Sequence, residues 1–311
     1  MADEFCMPLT PAVPTRHGQV IDAHVHLFTV GLLQEYVDSD PTANARFAQA
    51  VKDRRFGRRN DVLPDMTPSE TACWYVERLA AADVTKALVV SVVPDNQWTR
   101  EFIAAANGHI GALASIDPRS QRAPEQLERE MSAGFLGVKL LPVNRRYHLS
   151  DPACRPFFEK AAELRAPMIV HYGVTVDPNG DLRYADPIDL SPVARDYPEI
   201  EFVIAHFGAG WLDSVLRVAY QCANVSVDSS GTNNWLDYHV PKMTLGEVFE
   251  RCLTALGPQR VLFGTDSNTT APYRTWIRRM QQRTLEELGL SADDLDAVMR
   301  GNAARIFHID D

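Results

Sequence analysis

Eight short apolar runs, each separated from the next by an amphipathic stretch of helical period, constrain this 311-residue chain more than any other feature. The runs are Val20–Leu27, Lys86–Val93, His109–Ile116, Phe135–Leu141, Pro167–Tyr172, Glu201–Ala205, Val225–Asp228 and Arg260–Thr265. Helical period marks Ser69–Ala82, Gln97–Asn107, Pro124–Ala133, Cys154–Arg165, Pro187–Asp196, Trp211–Gln221, Leu245–Leu256 and Tyr273–Glu287, with Ser69 read as an N-cap. Ser291–Met299 and Asn302–Phe307 read as short closing helices. Strands that alternate with helices run parallel, and eight is the number at which a parallel sheet closes on itself. The fold expected is α/β, a (β/α)8 TIM barrel in a single domain over residues 1–311, with the barrel core at about 18–307. An open doubly wound sheet is the runner-up, but no G-x-G-x-x-G or Walker loop follows any run. The segment 29–65 is long for a strand-to-helix loop and carries Lys52-Asp53-Arg54-Arg55 and Arg58-Arg59. It is expected to form a helical insertion over the barrel mouth, with the basic run most simply a solvated helix face.

Charge and cysteine usage narrow the class of partner. Forty-one acidic against 31 basic side chains leave a net charge of −10, which argues against a phosphate-gripping nucleic-acid surface. No apolar run approaches the roughly 18–20 residues of a membrane helix, and Met1–Arg16 has no apolar core of a signal peptide. The five cysteines are scattered and never form C-x-x-C, so buried thiols in a reducing, cytoplasmic setting are expected. The partner expected is a small-molecule substrate, not nucleic acid or membrane. Apolar helix faces leave a homo-oligomer open.

The polar residues gather at strand ends. The first run ends Asp22-Ala23-His24-Val25-His26, and residues i and i+2 of a strand share a face, so both imidazoles point to the barrel axis. The fifth ends in His171, the sixth in His206, the eighth in Asp266, and the fourth carries Lys139 inside apolar sequence. A lone histidine at a strand end is more often structural, a post-strand aspartate is commonly a helix cap, and a lysine can snorkel. Five such accidents at one end of one barrel are a poor explanation, because that end is where barrels do chemistry. Imidazoles with a carboxylate suit Zn2+, with Mn2+, Fe2+ or Co2+ as weaker alternatives.

With these residues in place the chain resembles the amidohydrolase superfamily, in the branch that includes aminocarboxymuconate-semialdehyde decarboxylase and related metal-dependent hydrolases. The resemblance is carried by His24-Val25-His26, Val138-Lys139-Leu140-Leu141-Pro142, Asp151-Pro152 through Ala161, and His171-Tyr172-Gly173. It continues through Ala205-His206-Phe207-Gly208, Asp228-Ser229-Ser230, Gly264-Thr265-Asp266 and Gly301-Asn302-Ala303. It implies one metal on His24, His26, His171 and Asp266, with His206 free for catalysis and Asp266 carrying a proton from water to the leaving group. It equally implies a second ion, with His206 and Lys139 as further ligands, if Lys139 is carboxylated; the reading leans to one.

Arg145 and Arg146 after the fourth run are candidates for pairing a substrate carboxylate, and Tyr172 and Trp235 for lining the pocket. The ordinary reading is that loop arginines are solvated and aromatics beside strands are packing. The function expected is a metal-dependent hydrolase opening an amide, cyclic amide or lactone of a small, carboxylated substrate. The alternatives are a metal-dependent non-oxidative decarboxylase of an aromatic or dienoic acid and, more distantly, an inactive metal-binding scaffold.

Overall fold

Parallel strands follow one another in chain order around a single sheet in the computed structural model, which describes residues 19–39, 45–56, 60–94, 97–175, 177, 180–231 and 233–309. They are β1 (Ile21–His26), β2 (Lys86–Val90), β3 (Ile110–Ser115), β4 (Val138–Leu140), β5 (Met168–Val170), β6 (Phe202–Ile204), β7 (Val225–Asp228) and β8 (Val261–Leu262). Every consecutive pair is parallel. The eighth apolar run does not stay in one strand. It breaks after Leu262, and a ninth piece, Ser267–Asn268, pairs with β1. Across the break the Ala23 N–H donates to the Phe263 carbonyl (3.0 Å) and the Asp266 N–H to that of His24 (2.8 Å), so the sheet closes into a barrel. No long helix spans a membrane thickness with apolar residues among the described residues.

Alternation along the strands sorts the core into two layers. Ala87, Val89, Ala112, Ala114, Val138, Leu140, Met168, Val170, Phe202 and Ile204 pack outward against helices. Leu88, Val90, Leu113, Ile169, Val203, Ala205 and Leu262 fill the interior, where Ala303, Ile306 and Phe307 of the closing helix Asn302–Phe307 plug the floor. In β1 the alternation is interrupted. The register to β2 shifts between Asp22 and Val25, a bulge that places one extra residue in β1. Ile21 and Ala23 therefore lie in the inner layer, yet Val25 and Leu27 lie in the outer one. The bulge exchanges the faces, and Asp22 is directed away from the two histidines two and four residues on.

Asp22 is instead buried between β1 and the segment after β8. It accepts hydrogen bonds from the Thr265 hydroxyl (2.5 Å), the Tyr273 hydroxyl (2.7 Å) and the N–H groups of Thr265 and His24. Burial raises its carboxyl to about 6 against these four bonds.

Helix Pro68–Ala81 starts one residue ahead of the expected Ser69 cap, because Thr67 and Glu70 form a reciprocal capping box. Thr244 and Glu247 repeat it at helix Leu245–Leu256. After β1, helices Val30–Ser39 and Ala45–Lys52 and the antiparallel pair Arg55–Phe56 with Asp61–Val62 form the insertion. Leu32, Leu33, Val51 and Leu63 bury it against the outer layer. Its root is tied beside the end of the barrel by the Phe28 N–H, which donates to Thr269 Oγ1 (2.8 Å). Arg54 makes an exposed ion pair with Asp65. The N-terminal stretch to Arg16 and the Arg58-Arg59 part of the basic run lie outside the described residues. Cys154, Cys222 and Cys252 are buried free thiols as expected, whereas Cys73 is disulfide-bonded, against that expectation.

Candidate metal centre

Inward-facing positions of β1, β4 and β7 and the residues just after β5, β6 and β8 bring seven ionisable side chains to one end of the barrel: His24, His26, Lys139, His171, His206, Asp228 and Asp266. His24 and His26 rings meet edge to face at 5.0 Å, His24 and His206 lie 4.7 Å apart, and His206 and His171 lie 5.2 Å apart. His26 Nε2 stands 3.0 Å from Asp266 Oδ1. Donor atoms of His24, His26 and Asp266 lie within 4.8 Å of one another, as do those of His24, His206 and Asp228; neither group includes His171.

Hydrogen bonds fix which nitrogen of each ring is available. Nδ1–H of His24 donates to Asp228 Oδ2 (2.8 Å), leaving Nε2 a lone pair, and that atom is sealed from solvent without a partner. Nδ1–H of His26 donates to the Val90 carbonyl (2.7 Å), so a neutral ring presents the Nε2 lone pair to the carboxylate of Asp266. Two acceptors facing at 3.0 Å need a cation or proton between them. His171 Nε2 and Lys139 Nζ are likewise buried without hydrogen-bond partners. Unpartnered buried polar atoms are costly: the lone pairs of His24 and His171 suit a positively charged guest, whereas the Lys139 ammonium calls for an acceptor.

The electrostatics agree with ligand-competent imidazoles. Burial drives His24 down to about 3, outweighing the attraction of Asp228, and pushes His171 well below the usual histidine range. Burial lowers His206 as well. Neutral rings offer lone pairs at neutral pH. Burial lowers the Lys139 ammonium to about 8, while Asp228 and Asp266 pull the other way. Burial works to raise Asp266, but its bond to His26 and the nearby His206 and His24 hold it well below the usual carboxylate range. Histidines with unshared lone pairs and a carboxylate fit a borderline divalent ion such as zinc.

The turns that carry His206 and Asp266 are tightly built. His206 (φ 59°) and Phe207 (φ 53°) adopt left-handed conformations, as does Asp266 (φ 56°). Arg274 Nη1 donates to Asp266 Oδ2 (3.3 Å) and steadies it from the outer side. Gly173, two residues after His171, has φ +82°, and a Cβ there would lie 2.2 Å from the Gly208 carbonyl and 2.6 Å from that of Ala209. Gly173→Ala is expected to cost about 2–5 kcal/mol by combining left-handed strain with overpacking, read as a lowered urea midpoint. It should also part His171 from His206, so that metal retention falls with stability.

The candidates for substrate contact separate. Arg145 donates to Ser115 Oγ (2.8 Å), and Ser115 is the register partner of Lys139, so Arg145 lies on the β3–β4 side. Arg146 is exposed in the left-handed cap of the turn Pro142–Arg145. Tyr172 is fully buried in the outer layer, its hydroxyl donating to Asp189 (3.2 Å), because it faces opposite to His171. Trp235 is buried in the loop after β7, and its Nε1, like both amide atoms of Asn233, has no partner. Asp228 was passed over among the sequence candidates as a separate group. The strand-end position that singled out His171 and His206 would also have singled out Asp228.

Comparison with known proteins adds context. The amidohydrolase family profile matches residues 21–309. A dihydroorotase from Yersinia enterocolitica is 25% identical over 195 residues, covering 60% of this chain and 47% of that protein, so the match spans about half of the relative's length. Among solved structures, a candidate 2-pyrone-4,6-dicarboxylic acid hydrolase from Pseudomonas putida aligns with TM-score 0.65 and 18% identity over 94% of this chain and 98% of its own. The 5-carboxyvanillate decarboxylase of Sphingomonas paucimobilis aligns with TM-score 0.63 and 15% identity over 94% of this chain and 99% of its own. At such identities the structural likeness extends to the fold.

Proposed function

The chain belongs to the amidohydrolase family, and from that premise we propose that it is a metal-dependent hydrolase opening an amide, cyclic amide or lactone of a small carboxylated substrate. The observation that carries the reading is the grouping of His24, His26 and Asp266 donor atoms within 4.8 Å, with His24 Nε2 and His171 Nε2 buried and unpartnered. His24, His26, His171 and Asp266 would hold one ion, zinc first and manganese, iron or cobalt next. Such an ion acidifies water and polarises a carbonyl when bound. Asp266, partly open to the mouth at 28% side-chain exposure, takes the proton released by the attacking water and returns it to the leaving group. His206, beside His24 and His171, would act through its ring as an acceptor that shuttles a proton. Lys139 and Arg145 place cations on the β3–β4 side, where a substrate carboxylate can settle.

A decarboxylase reading keeps the same residues and gives the cations the carboxylate that is lost. Its support is the carboxyvanillate decarboxylase, which aligns about as well as the hydrolase structure. Assays on dihydroorotate, 2-pyrone-4,6-dicarboxylate and 5-carboxyvanillate separate the readings, because only the last would release CO2 without consuming water.

Metal content per chain, taken beside a native intact mass, tests the centre. The expected result is near one ion and no added CO2 on Lys139, with activity lost on chelation and restored by Zn2+ or Mn2+. Two ions with a carboxylated Lys139 would move His206 into the ligand set. Protein that neither carries nor takes up metal would remove the proposal.

A further inference from the structure

Both oxygens of the buried Asp228 are engaged, and the way they are engaged determines a proton elsewhere. Oδ2 accepts Nδ1–H of His24 at 2.8 Å. Oδ1 accepts the N–H groups of His206 (2.9 Å) and Ser230 (3.0 Å) and the Ser230 hydroxyl. A hydroxyl has one proton, and an ionised carboxylate can only accept. With its proton on Asp228, Ser230 Oγ has only lone pairs left for His206 Nδ1, which stands 2.7 Å away. The proton of that contact must then belong to the ring.

We propose that Ser230 is a positioning residue that relays the charge of Asp228 to His206 and holds the ring as its Nδ1–H tautomer, so that Nε2 faces the site as an acceptor. One carboxylate thereby sets two imidazoles alike, His24 directly and His206 through one hydroxyl. The surroundings support the assignment. The same Oδ1 anchors the left-handed backbone of His206, so ring and main chain are fixed by a single group. Gly231 (φ +98°) leaves room on the flank: a Cβ there would come 3.4 Å from His206 Nδ1. Nothing in the relay requires the ring to change charge. A neutral His206 in this tautomer accepts a proton or ligates an ion through Nε2, whereas the opposite tautomer would present N–H there and do neither.

The role given to His206 rests on the proposed function, but the tautomer can be read without any substrate or metal. Metal-free protein carrying 15N-labelled histidine rings is examined by long-range 1H–15N correlation, with His206→Gln identifying the signals of residue 206. In the unaltered chain His206 and His24 are both expected as Nδ1–H. In Ser230→Ala, His206 should move to a mixture or to Nε2–H, the form free imidazole side chains favour, while His24 stays unchanged because its own bond to Asp228 is intact. Ser230→Thr, which keeps a hydroxyl, should restore Nδ1–H and supplies a second reading if the alanine variant folds poorly. A purely structural serine would lower the unfolding midpoint without moving the tautomer. An unaltered chain with Nε2–H at His206, or a Ser230→Ala variant with no change in tautomer, overturns the relay. A tautomer shift in a protein that never binds metal would uphold the relay and bring down the metal-dependent hydrolase alone.

Discussion

Asp266→Asn is expected to lower kcat by about 10³-fold or more on whichever of the three candidate substrates proves active, with the fold retained. Asparagine keeps the shape and the Arg274 contact but cannot hold a proton in transit. It also gives up the negative charge that His26, His206 and His24 keep ionised at this position, so metal content should fall alongside turnover. Asp266 is the one carboxylate of the cluster that reaches solvent at the mouth, Asp228 being fully buried, so no second carboxylate of the cluster can take over its proton transfer. The check is steady-state kinetics on protein whose metal content has been measured and corrected. Activity within threefold of the unaltered enzyme at full metal loading would dismiss Asp266 as the proton carrier.

Asp228→Ala is expected to cost about 3–5 kcal/mol of folding stability and to weaken metal retention by about 10–100-fold. The stability loss follows from what the carboxylate accepts. Burial works to raise its pKa, but the hydrogen bond from His24, with the His206 N–H behind it, holds it well below the usual carboxylate range. Removing it strands Nδ1–H of His24, two backbone N–H groups and the Ser230 hydroxyl in a dry interior. The metal effect follows from the tautomer, since His24 without its acceptor no longer has Nε2 fixed as a lone pair. Asp228→Asn retains one carbonyl oxygen and should lose less on both measures. Urea unfolding of metal-free protein separates the two effects, because its midpoint reports the stranded donors alone. A change below 1 kcal/mol in the alanine variant would show that water replaces the carboxylate, and the hub role would fall.

Much of this was legible in the chain. The alternation of apolar runs with helical periods requires a parallel sheet, since a helix between consecutive strands returns the chain to the same end. Polar residues placed at the ends of the fifth, sixth and eighth runs then share one mouth. Less legible were the residues whose direction depends on a neighbour. Tyr172 follows a site histidine in sequence and, by strict alternation, faces the helices, where its hydroxyl meets Asp189. Arg145 and Arg146 are adjacent in sequence, yet one meets Ser115 at the mouth and the other sits exposed in a left-handed cap. Ser230 lies in the Asp228-Ser229-Ser230 stretch that carries the family resemblance, but nothing in that stretch indicates its role, because its importance lies in where its single proton goes.

The first strand shows the division most clearly. By sequence alone, Asp22, His24 and His26 occupy alternate positions and share a face, so all three would enter the site. The spacing did determine that His24 and His26 stay together, because they lie on the same side of the irregularity. Only the tertiary structure decided that Asp22 leaves. Pairing with β2 forces an extra residue into β1, which turns Ile21 and Ala23 into the barrel floor and sends Asp22 outward to Thr265 and Tyr273. A bulge is a property of two strands in register, and no single strand's pattern contains it. The left-handed turns at His206 and Asp266 belong to the same class: the local sequence has no glycine there to announce them, and they persist because Asp228 and the closing bond to His24 hold them in place.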